Sequence, residues 1–531
     1  MVLWCAKVQI CRFLKENAAL AETAYISFFP ERKITLHTFD IAVIGGSTGG
    51  VQAAIAACKM GKKVYMCEAT DWIGGQLTSQ AVPPDENKWI EEQGSTQSYL
   101  NYRKAVREAY KAMPEASDLM KSLDKFCPGR SWVSRVAHSP KLAHKLLCES
   151  VQPYVDSGLL TIDLETVAVC ADVQNDAVQT VTVKHKDGTQ DVIEAAYFLD
   201  ATDCGDLLPM TGTEYRIGAE AKSEYNEPSA LEEANSEDHQ PITWVAALAL
   251  DKVRTEMPKP ENYDFWLNRT REDRKILTWE GHGKDGKVLF GMFDGDVKPG
   301  SLGLWTYRRI QYPPYYNDDR PEITLLNWPQ NDYEFGNVID DPDADFHLQQ
   351  AREQTLCVAY WLWEQGYNVR LDGEHMGTAD GLAKAPYIRE SRRIVAKKTI
   401  VEQEVAEKFN HEPVQLKDSV GVGHYAMDLH KTTRTGTSMY QAAQRFEIPL
   451  SAMIPVRMKN LLPACKNIGA THVTGGCFRL HPVEWTIGEA AGYLSAYCLE
   501  NACTPAQVLE ERLEDFQKLL VENGFQLHWR V

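Results

Sequence analysis

The chain has 531 residues, of which 44% are hydrophobic and 10% aromatic, and its formal net charge is −18. This length is enough for two or three domains with a large core. The acidic balance argues against nucleic acid or an anionic membrane as a partner, and no apolar run is long enough to predict a membrane span.

Thirteen cysteines are scattered along the chain without a C-x-x-C pair. The odd count and the lack of paired spacing predict reduced thiols in a cytoplasmic protein. They also argue against a redox dithiol, a zinc site and an iron–sulfur cluster, so we predict no metal. Residues 1–38 mix apolar residues with charges that interrupt any signal-peptide core, and we interpret them as an N-terminal extension.

The first clear unit begins at residue 39. Residues 39–44 form a short apolar strand, a glycine-rich turn opens a helix of small residues, and a second strand over 64–67 ends at Glu68. This is the order of a dinucleotide-binding βαβ unit, in which a pyrophosphate approaches the helix N-terminus. A glycine pattern alone could mark only a tight turn, and Ser47 replaces the middle glycine of G-x-G-x-x-G. The candidate cofactor-binding residues here are Gly45, Gly46, Ser47, Thr48, Gly49, Gly50 and Glu68.

A second pair of glycines follows the acid directly. They permit another close backbone approach, which suits FAD because FAD extends further than NAD. The candidate contacts are Gly74, Gly75 and Gln76. Beyond them, the patterns predict helices over 98–111 and 141–155, within an inserted helical segment spanning 85–155.

Residues 159–199 change to strand patterns, with an Asp-Gly hairpin turn within 186–189. The last strand runs into D-A-T-D-C-G-D at 200–206, which looks like the second contact segment of flavoproteins. An ordinary strand-to-turn transition is the alternative. The candidate cofactor contacts of this stretch are Ala168, Asp200, Ala201, Thr202 and Asp206.

Residues 214–340 are charged and rich in proline, tyrosine and tryptophan. Aromatic side chains with interleaved arginines suit a ligand pocket, although each one singly is better explained as the core of a sheet-based domain. As a set they predict a substrate domain, and the densest stretch is 327–333. A helix is predicted over 344–366.

The last part of the chain carries two further candidate segments. Three arginines lie at 389, 392 and 393. They could clamp a phosphate or carboxylate, or they could form a solvated basic helix face, and the sequence favours neither interpretation over the other. Glycines at 475 and 488 surround the start of a small-residue helix predicted over 485–499. We expect them to allow a close approach to a flavin, whose anionic reduced form a helix N-terminus stabilises. The final thirty residues predict an amphipathic helical tail.

Five segments in order carry a family resemblance: VIGGSTGG with Glu68 and IGGQLTSQAV, FLDATDCGD, APYIRESRRI, DSVGVGHYAMDLH, and the stretch from NLLPACKN to GEAAG. Together they resemble the FAD-dependent oxidoreductases of the glutathione-reductase-like superfamily, in particular a bacterial group with IRESRRI-like and GxAAG segments. The resemblance covers about residues 38–510. Two departures from the pattern are Ser47 and Asn467, the latter where many relatives place an acid.

The resemblance implies an α/β fold with FAD as the cofactor. A Rossmann-like FAD-binding domain, with a parallel sheet and helices, would be assembled from 39–213 and 386–510. An inserted mixed-sheet α+β substrate domain would occupy 214–385, and a helical tail 511–531. Arg389, Gly475 and Gly488 are expected to contact the cofactor.

The leading functional prediction is hydride transfer from a small organic substrate to the flavin. Histidine has a suitable pKa for the general base. The catalytic candidates are His481 and His472, with Arg479 to steady flavin or substrate charge, and then His424 and His430. Each histidine could equally be structural.

Three alternatives stay open: an FAD-dependent monooxygenase, a redox-neutral flavin isomerase, and a redox sensor without a substrate. Only one dinucleotide motif is visible, which predicts no separate NAD(P)H domain. The aromatic middle region favours a substrate over a sensor. The sequence leaves open the substrate, the electron acceptor and the oligomeric state.

Overall fold

The computed structural model describes residues 35–272, 274–283, 286–410 and 412–530. Most of the predicted N-terminal extension, residues 1–38, therefore lies outside the described residues. The elements of residues 35–211 are β1 (Thr35–Ile44), α1 (Thr48–Lys59), β2 (Val64–Cys67), α2 (Gln97–Lys111), α3 (Asp118–Ser122), α4 (Pro140–Asp156), β3 (Leu160–Asp163), β4 (Thr166–Gln174), β5 (Ala177–His185), β6 (Gln190–Asp200) and α5 (Leu207–Thr211). The helices and strands predicted for this stretch are confirmed.

The middle of the chain contains shorter elements. They are β7 (Tyr215–Arg216), α6 (Lys222–Tyr225), β8 (Ile242–Thr243), β9 (Ala246–Leu250), α7 (Tyr263–Asn268), β10 (Thr270–Arg271), β11 (Arg274–Lys275), β12 (Glu280–Gly283), β13 (Gly286–Leu289), α8 (Leu304–Tyr307), β14 (Arg309–Gln311), β15 (Glu322–Leu326), β16 (Asp332–Tyr333), α9 (Ala344–Glu364), β17 (Val369–Leu371), α10 (Gly373–Met376) and β18 (Arg393–Ile394). The long helix α9 confirms the prediction over 344–366.

The C-terminal part adds small strands and then helices. They are α11 (Glu402–Val405), β19 (Ser419–Gly423), β20 (Met427–Leu429), β21 (Met439–Gln441), β22 (Phe446–Pro449), β23 (Leu461–Pro463), α12 (His472–Phe478), α13 (His481–Asn501), α14 (Pro505–Glu511) and α15 (Leu513–Glu522). The predicted helical tail is thus divided into α14 and α15 and ends before residue 523.

A parallel sheet forms the core of the first region. Its order is β3-β2-β1-β6-β23, and β5 and β4 extend it in antiparallel fashion from the first half of β6. The register aligns the carboxyl ends of four strands, because Ile44 pairs with both Cys67 and Asp200, and Asp200 also pairs with Pro463. Ligands of open parallel sheets bind at this edge. The predicted parallel-sheet core is confirmed, and it is consistent with a Rossmann-like FAD-binding domain.

Small residues bring α13 against α1. A Cβ atom built on Gly488 would lie 2.0 Å from the Gly49 carbonyl oxygen, and one on Gly492 would lie 2.2 Å from the Ala53 carbonyl oxygen. Larger side chains would push the two helices apart, so the sequence pattern G-x-A-A-G sets their separation. Because of this contact, residues more than 400 positions after the glycine turn lie beside it.

A second, antiparallel sheet lies in the middle region, in the order β14-β15-β9-β17, and α9 packs against it. Its hydrophobic core contains Trp266, Trp305, Trp328 and Tyr333, all at most 2% exposed. Most of the aromatic side chains of 214–340 are therefore core residues. For each residue taken singly, the sequence analysis had favoured this explanation, the core of a sheet-based domain, over a ligand pocket.

One alternative for the arginine-rich segment is wrong. Residues 386–394 form no solvated helix, because Arg389, Arg392 and Arg393 lie in an extended, buried stretch and each pairs with a carboxylate. The cysteines among the described residues form no disulfide. Of the described helices, none is long and apolar enough to cross a membrane.

Candidate functional site

The glycine turn between β1 and α1 has no room for side chains. A Cβ atom on Gly50 would lie 2.1 Å from the carbonyl oxygen of Gly45 and 2.9 Å from the Cβ of Ala201. Ser47 is the N-cap of α1, and its Oγ accepts a hydrogen bond from the Gly50 amide at 3.2 Å. Serine suits this position because an N-cap oxygen satisfies a free amide of the first helical turn. The departure from the glycine pattern thus has a local structural reason.

Glu68 lies beside this turn at the end of β2. Its carboxylate accepts hydrogen bonds at 2.9 Å from the backbone amides of Gly46 and Thr70. Burial raises the pKa of Glu68 to about 7, against the opposing effect of these hydrogen bonds. The acid is therefore fixed in position at the glycine turn, where the βαβ pattern predicts contact with an adenosine ribose.

The second glycine pair lies directly on the first turn. The amide of Gly74 donates to the Gly46 carbonyl at 2.7 Å, and Thr48 Oγ1 donates to the Gly74 carbonyl at 2.8 Å. Gln76 Nε2 donates to the Arg479 carbonyl at 2.9 Å and also to Glu484, whose carboxylate accepts from the Gly49 amide at 3.3 Å.

These contacts bring three sequence-distant segments together at one place. The Gly74–Gly46 hydrogen bond joins the two glycine pairs, and Gln76 joins them to the start of α13. The side-chain oxygens Oε1 of Gln76 and Gln80 are buried and have no hydrogen-bond partner among the described residues. Unpaired buried acceptors of this kind fit a ligand that supplies hydroxyl or amide donors.

The segment after β6 closes the other side of the turn. Asp200 accepts hydrogen bonds from Thr202 and from the Leu207 amide, and burial raises its pKa to about 7. Asn467 Nδ2 donates to the Asp200 carbonyl at 3.0 Å, and its Oδ1 accepts from the Cys465 amide at 3.3 Å. An acid could not donate the first of these bonds, which explains asparagine at this position. Asn467 therefore joins the ends of β6 and β23.

A buried lysine completes this edge of the sheet. Lys466 Nζ donates to Asp203 at 2.6 Å and lies 3.7 Å from Glu484. Gln80 Nε2 also donates to Asp203 at 2.6 Å. Sequence reasoning did not single out Lys466, Asp203 or Glu484, because their roles depend on contacts between segments that are far apart in the chain.

The residues at this edge fit FAD. They supply a glycine-rich turn at the N-terminus of a 12-residue helix, an acid at the end of β2, and buried side-chain oxygens of Gln76 and Gln80 without protein partners. These are the features that a pyrophosphate, a ribose and a polar ring system require. The residues that would hold the cofactor are Gly45, Gly46, Ser47, Thr48, Gly49, Gly50, Glu68, Gly74, Gly75, Gln76, Asp200, Ala201 and Thr202.

Some predicted cofactor contacts lie elsewhere or have protein partners. Ala168 pairs with Val183 within the antiparallel extension of the sheet. Asp206 pairs with Arg392 at 2.9 Å. Gly475 lies inside α12, with open space where a side chain would point. Gly488 packs against Gly49 through the backbone of α1.

His481 is held by the backbone on both sides of its ring. Nδ1 accepts a hydrogen bond from the Asp85 amide at 3.1 Å, and Nε2 donates to the Val82 carbonyl at 3.1 Å. Burial lowers the pKa of His481 to about 4. With both nitrogens engaged, this side chain has a structural role in the geometry observed.

The other two early histidine candidates also have protein partners. His472 Nδ1 lies 3.0 Å from Glu390. Burial lowers the pKa of His472, but the Glu390 carboxylate outweighs this effect and the pKa is raised. His424 packs edge-on against Trp89, and burial lowers its pKa to about 4.

We expect His481→Gln to lower the free energy of unfolding by about 1–3 kcal/mol near neutral pH, because buried hydrogen bonds are lost. The wild-type advantage should shrink as the pH falls from 6.5 towards 4. In that range the unfolded histidine binds a proton, whereas the folded one, with its pKa near 4, does not. Urea unfolding of both proteins at several pH values measures the difference. A variant of unchanged stability that has lost substrate-dependent flavin reduction would instead assign His481 to the chemistry.

Two adjoining cavities are lined by residues of the middle region together with residues between 425 and 440. The inner one, which we call the chamber, has a volume of about 40 Å³ and is lined by residues that include Asp85, Arg308, Trp328, Arg389 and Arg479. The outer one, which we call the cleft, has a volume of about 390 Å³ and opens to the surface. Three residues line both cavities: Pro329, Asp428 and His430.

His430 is held at this junction by two acids. Its Nδ1 lies 2.6 Å from Asp332 and its Nε2 lies 3.5 Å from Asp428. Burial and Arg389 oppose protonation, yet the pKa of His430 is raised. The cause is the nearby pair of carboxylates. The side chain is 27% exposed, so it can reach a ligand in the cleft.

Arg479 connects the chamber with the glycine turns. Its carbonyl accepts from Gln76, and its guanidinium donates at 2.5 Å to the hydroxyl of Tyr387. Arg389, predicted as a cofactor contact, lines the chamber and pairs with Asp332 at 2.8 Å. Sequence reasoning noted Arg308 as one of the arginines among the aromatic residues of the expected pocket. It did not single out Asp332 or Tyr387, although the dense stretch 327–333 contains Asp332.

Comparison with known proteins identifies the class. A family model described as FAD dependent oxidoreductase matches residues 40–520. Because this match covers most of the chain, the chain belongs to the FAD-dependent oxidoreductase family. It is accordingly an enzyme whose cofactor is FAD. No curated protein matches the sequence.

Several solved structures show a distant likeness. L-proline dehydrogenase from P. horikoshii is 16% identical over 36% of this chain, which spans only 26% of that protein, with a TM-score of 0.19. A geranylgeranyl bacteriochlorophyll reductase-like protein from Thermoplasma acidophilum is 11% identical, covering 93% of this chain and 85% of that one, with a TM-score of 0.29. The myxobacterial chondrochloren halogenase CndH is 11% identical over 92% and 84%, with a TM-score of 0.33. At these scores the likenesses carry no argument about the reaction.

Proposed function

We propose that this FAD-dependent oxidoreductase oxidises a small organic substrate by hydride transfer, and that the substrate binds in the chamber and the cleft. The observation that carries the proposal is the position of His430. It lines both cavities and is held by two carboxylates. Arg479 connects the same chamber to the glycine turns that fit FAD.

FAD, when bound, supplies the acceptor for the hydride of a substrate C–H bond. The residues of the chain supply binding, orientation and proton transfer. His430 accepts the proton of the substrate O–H or N–H group as the C–H bond is broken, so the substrate loses one hydride and one proton. Asp332, at Nδ1, orients the ring and stabilises its protonated form, as carboxylates do for histidine bases.

The wider assignments rest on the sequence patterns and on this geometry together. We infer that residues 214–385 act as the substrate domain, because Arg308 and Trp328, which flank strands β14 and β15 of the second sheet, line the chamber. The order of the motifs supports membership of the glutathione-reductase-like superfamily. Because the described cysteines form no disulfide, we infer a reducing, cytoplasmic location.

Anaerobic mixing of the FAD-loaded enzyme with a panel of alcohols, amines and organic acids tests the proposal. We expect loss of the visible flavin absorbance with members of the panel and none with NADPH alone. Rapid reduction by NADPH, with no response to the panel, would favour the monooxygenase alternative. If neither the panel nor NADPH reduced the flavin, but a member of the panel were converted into its isomer, the isomerase alternative would be favoured.

Removing one carboxylate beside His430 should change the pH profile. Asp428 contributes to the raised pKa of His430, so Asp428→Asn should lower that pKa. The base form would then persist to lower pH, and the rising limb of the flavin-reduction rate should move to lower pH. The exposed Asp380→Asn, which removes an acid paired with Arg352 outside the cavities, is the matched control. An unmoved limb in Asp428→Asn would exclude His430 as the titrating base.

A further inference from the structure

The residues that line the chamber have more hydrogen-bond donors than the surrounding protein pairs with acceptors. Five buried nitrogens of its lining residues have no partner among the described residues: Nε of Arg308, Arg389 and Arg479, Nδ2 of Asn327 and Nε1 of Trp328. Among the described side chains that line it, no buried oxygen is left without a partner. Buried polar groups are normally paired, so five unpaired donors on the residues that line one small cavity indicate a missing acceptor.

The existing partners of the arginines leave these Nε atoms free. Both terminal nitrogens of Arg308 donate to Asp85 at 3.1 Å. The protein contacts of Arg389 and Arg479 are likewise made through their terminal nitrogens. The guanidinium groups are therefore held in place by the protein, and each keeps its Nε–H unpaired.

The size of the chamber limits what the acceptor can be. A buried water needs roughly 10–15 Å³ of such volume, so about 40 Å³ corresponds to about three water-sized groups. A carboxylate has three heavy atoms, two acceptor oxygens with about four lone-pair sites, and no donor.

We propose that the substrate is an organic acid whose carboxylate lies in the chamber while the remainder of the molecule occupies the cleft. The proposal rests on the proposed function, since it assigns the substrate class of the same site. The cleft, at about 390 Å³, falls in the size range of small-molecule sites. His430 lies at the junction of the two cavities, next to the bond between the carboxylate and the rest of the acid.

Binding of a matched pair of probes to the FAD-loaded enzyme tests this assignment. Phenylacetate and phenylacetamide have the same shape, but only the first is a carboxylate. Because a charged acceptor gains about twice as much from each donor, we expect phenylacetate to bind at least about tenfold more tightly by calorimetry. Equal affinities would overturn the proposal. Chloride binding in competition with phenylacetate, at similar affinity, would overturn it in favour of a halide site.

Substitution of one chamber arginine locates the binding. Arg479→Gln should reduce the preference for phenylacetate over the amide to less than about threefold, and Arg479→Lys should restore part of it. Arg309→Gln is the matched control, because Arg309 is a buried arginine paired with Glu322 and does not line the chamber. An equal loss in Arg309→Gln, or no loss in Arg479→Gln, would overturn the assignment. If Arg479→Gln does not fold, the wild-type comparison of the two probes decides by itself.

The binding and reduction experiments separate the two proposals. Tight phenylacetate binding without flavin reduction by any member of the panel would contradict the proposed function and leave the anion site in place. Flavin reduction by an alcohol or amine, with equal affinity for the two probes, would contradict only the organic-acid assignment.

Discussion

Gly50→Val should weaken the binding of FAD by about tenfold to hundredfold. The valine Cβ would lie 2.1 Å from the Gly45 carbonyl oxygen and 2.9 Å from the Cβ of Ala201, and neither the backbone nor the end of β6 can move without opening the turn. Overpacking of this kind costs about 1–3 kcal/mol, which corresponds to about tenfold to hundredfold in affinity if the turn takes the strain. Fluorescence titration of the apoprotein with FAD measures the affinity.

The control for this variant is Gly158→Ala. Gly158 has a φ of +74°, and a Cβ there meets no atom within 4 Å. The Gly158→Ala variant therefore tests the effect of replacing a glycine at positive φ without a steric clash. Gly158 also makes none of the contacts described above for the glycine turn. Circular dichroism shows whether each variant is folded. A folded Gly50→Val protein with wild-type affinity for FAD would contradict the assignment of the glycine turn as the cofactor site.

His430→Gln should slow flavin reduction by substrate by about 10²- to 10⁴-fold, the usual contribution of a positioned general base. Bound FAD should be retained, because His430 makes no contact with the glycine turns among the hydrogen bonds and ion pairs described for it. In the wild type, the midpoint of the rise in rate with pH should lie above 6.5, the ordinary pKa of histidine. The reason is that the pKa of His430 is raised, and His430 acts as a base only at pH values above its own pKa. This dependence should disappear in the variant.

Stopped-flow absorbance across a pH series measures both effects. His347→Gln is the control, since His347 lies 2.8 Å from the hydroxyl of Tyr333 and does not line the chamber or the cleft. If His430→Gln reduced its flavin at the wild-type rate and with the wild-type pH profile, another group would have to act as the base.

The sequence by itself determined the dinucleotide unit. The strand, glycine turn, helix, strand and Glu68 lie within 30 consecutive residues, so their spacing alone implies their contacts. The same is true of the strands over 159–199 and of α9, where local periodicity decides the element. The glycines of the last segment predicted a close approach, which was expected to be to a flavin; the structure instead packs Gly488 against the backbone of Gly49 in α1.

The chamber and the cleft could be located only from the tertiary structure. The chamber draws residues from positions 85, 307–308, 327–329, 387–389, 425–430 and 479, and no local pattern indicates that these meet. The histidine candidates illustrate the reason. His481 follows the glycine-rich segment in sequence, yet both of its ring nitrogens contact backbone atoms near residues 82 and 85. His430 came after His481 among the candidates from the sequence, yet it lines both cavities. The direction of a side chain depends on packing between distant segments, which the sequence does not reveal.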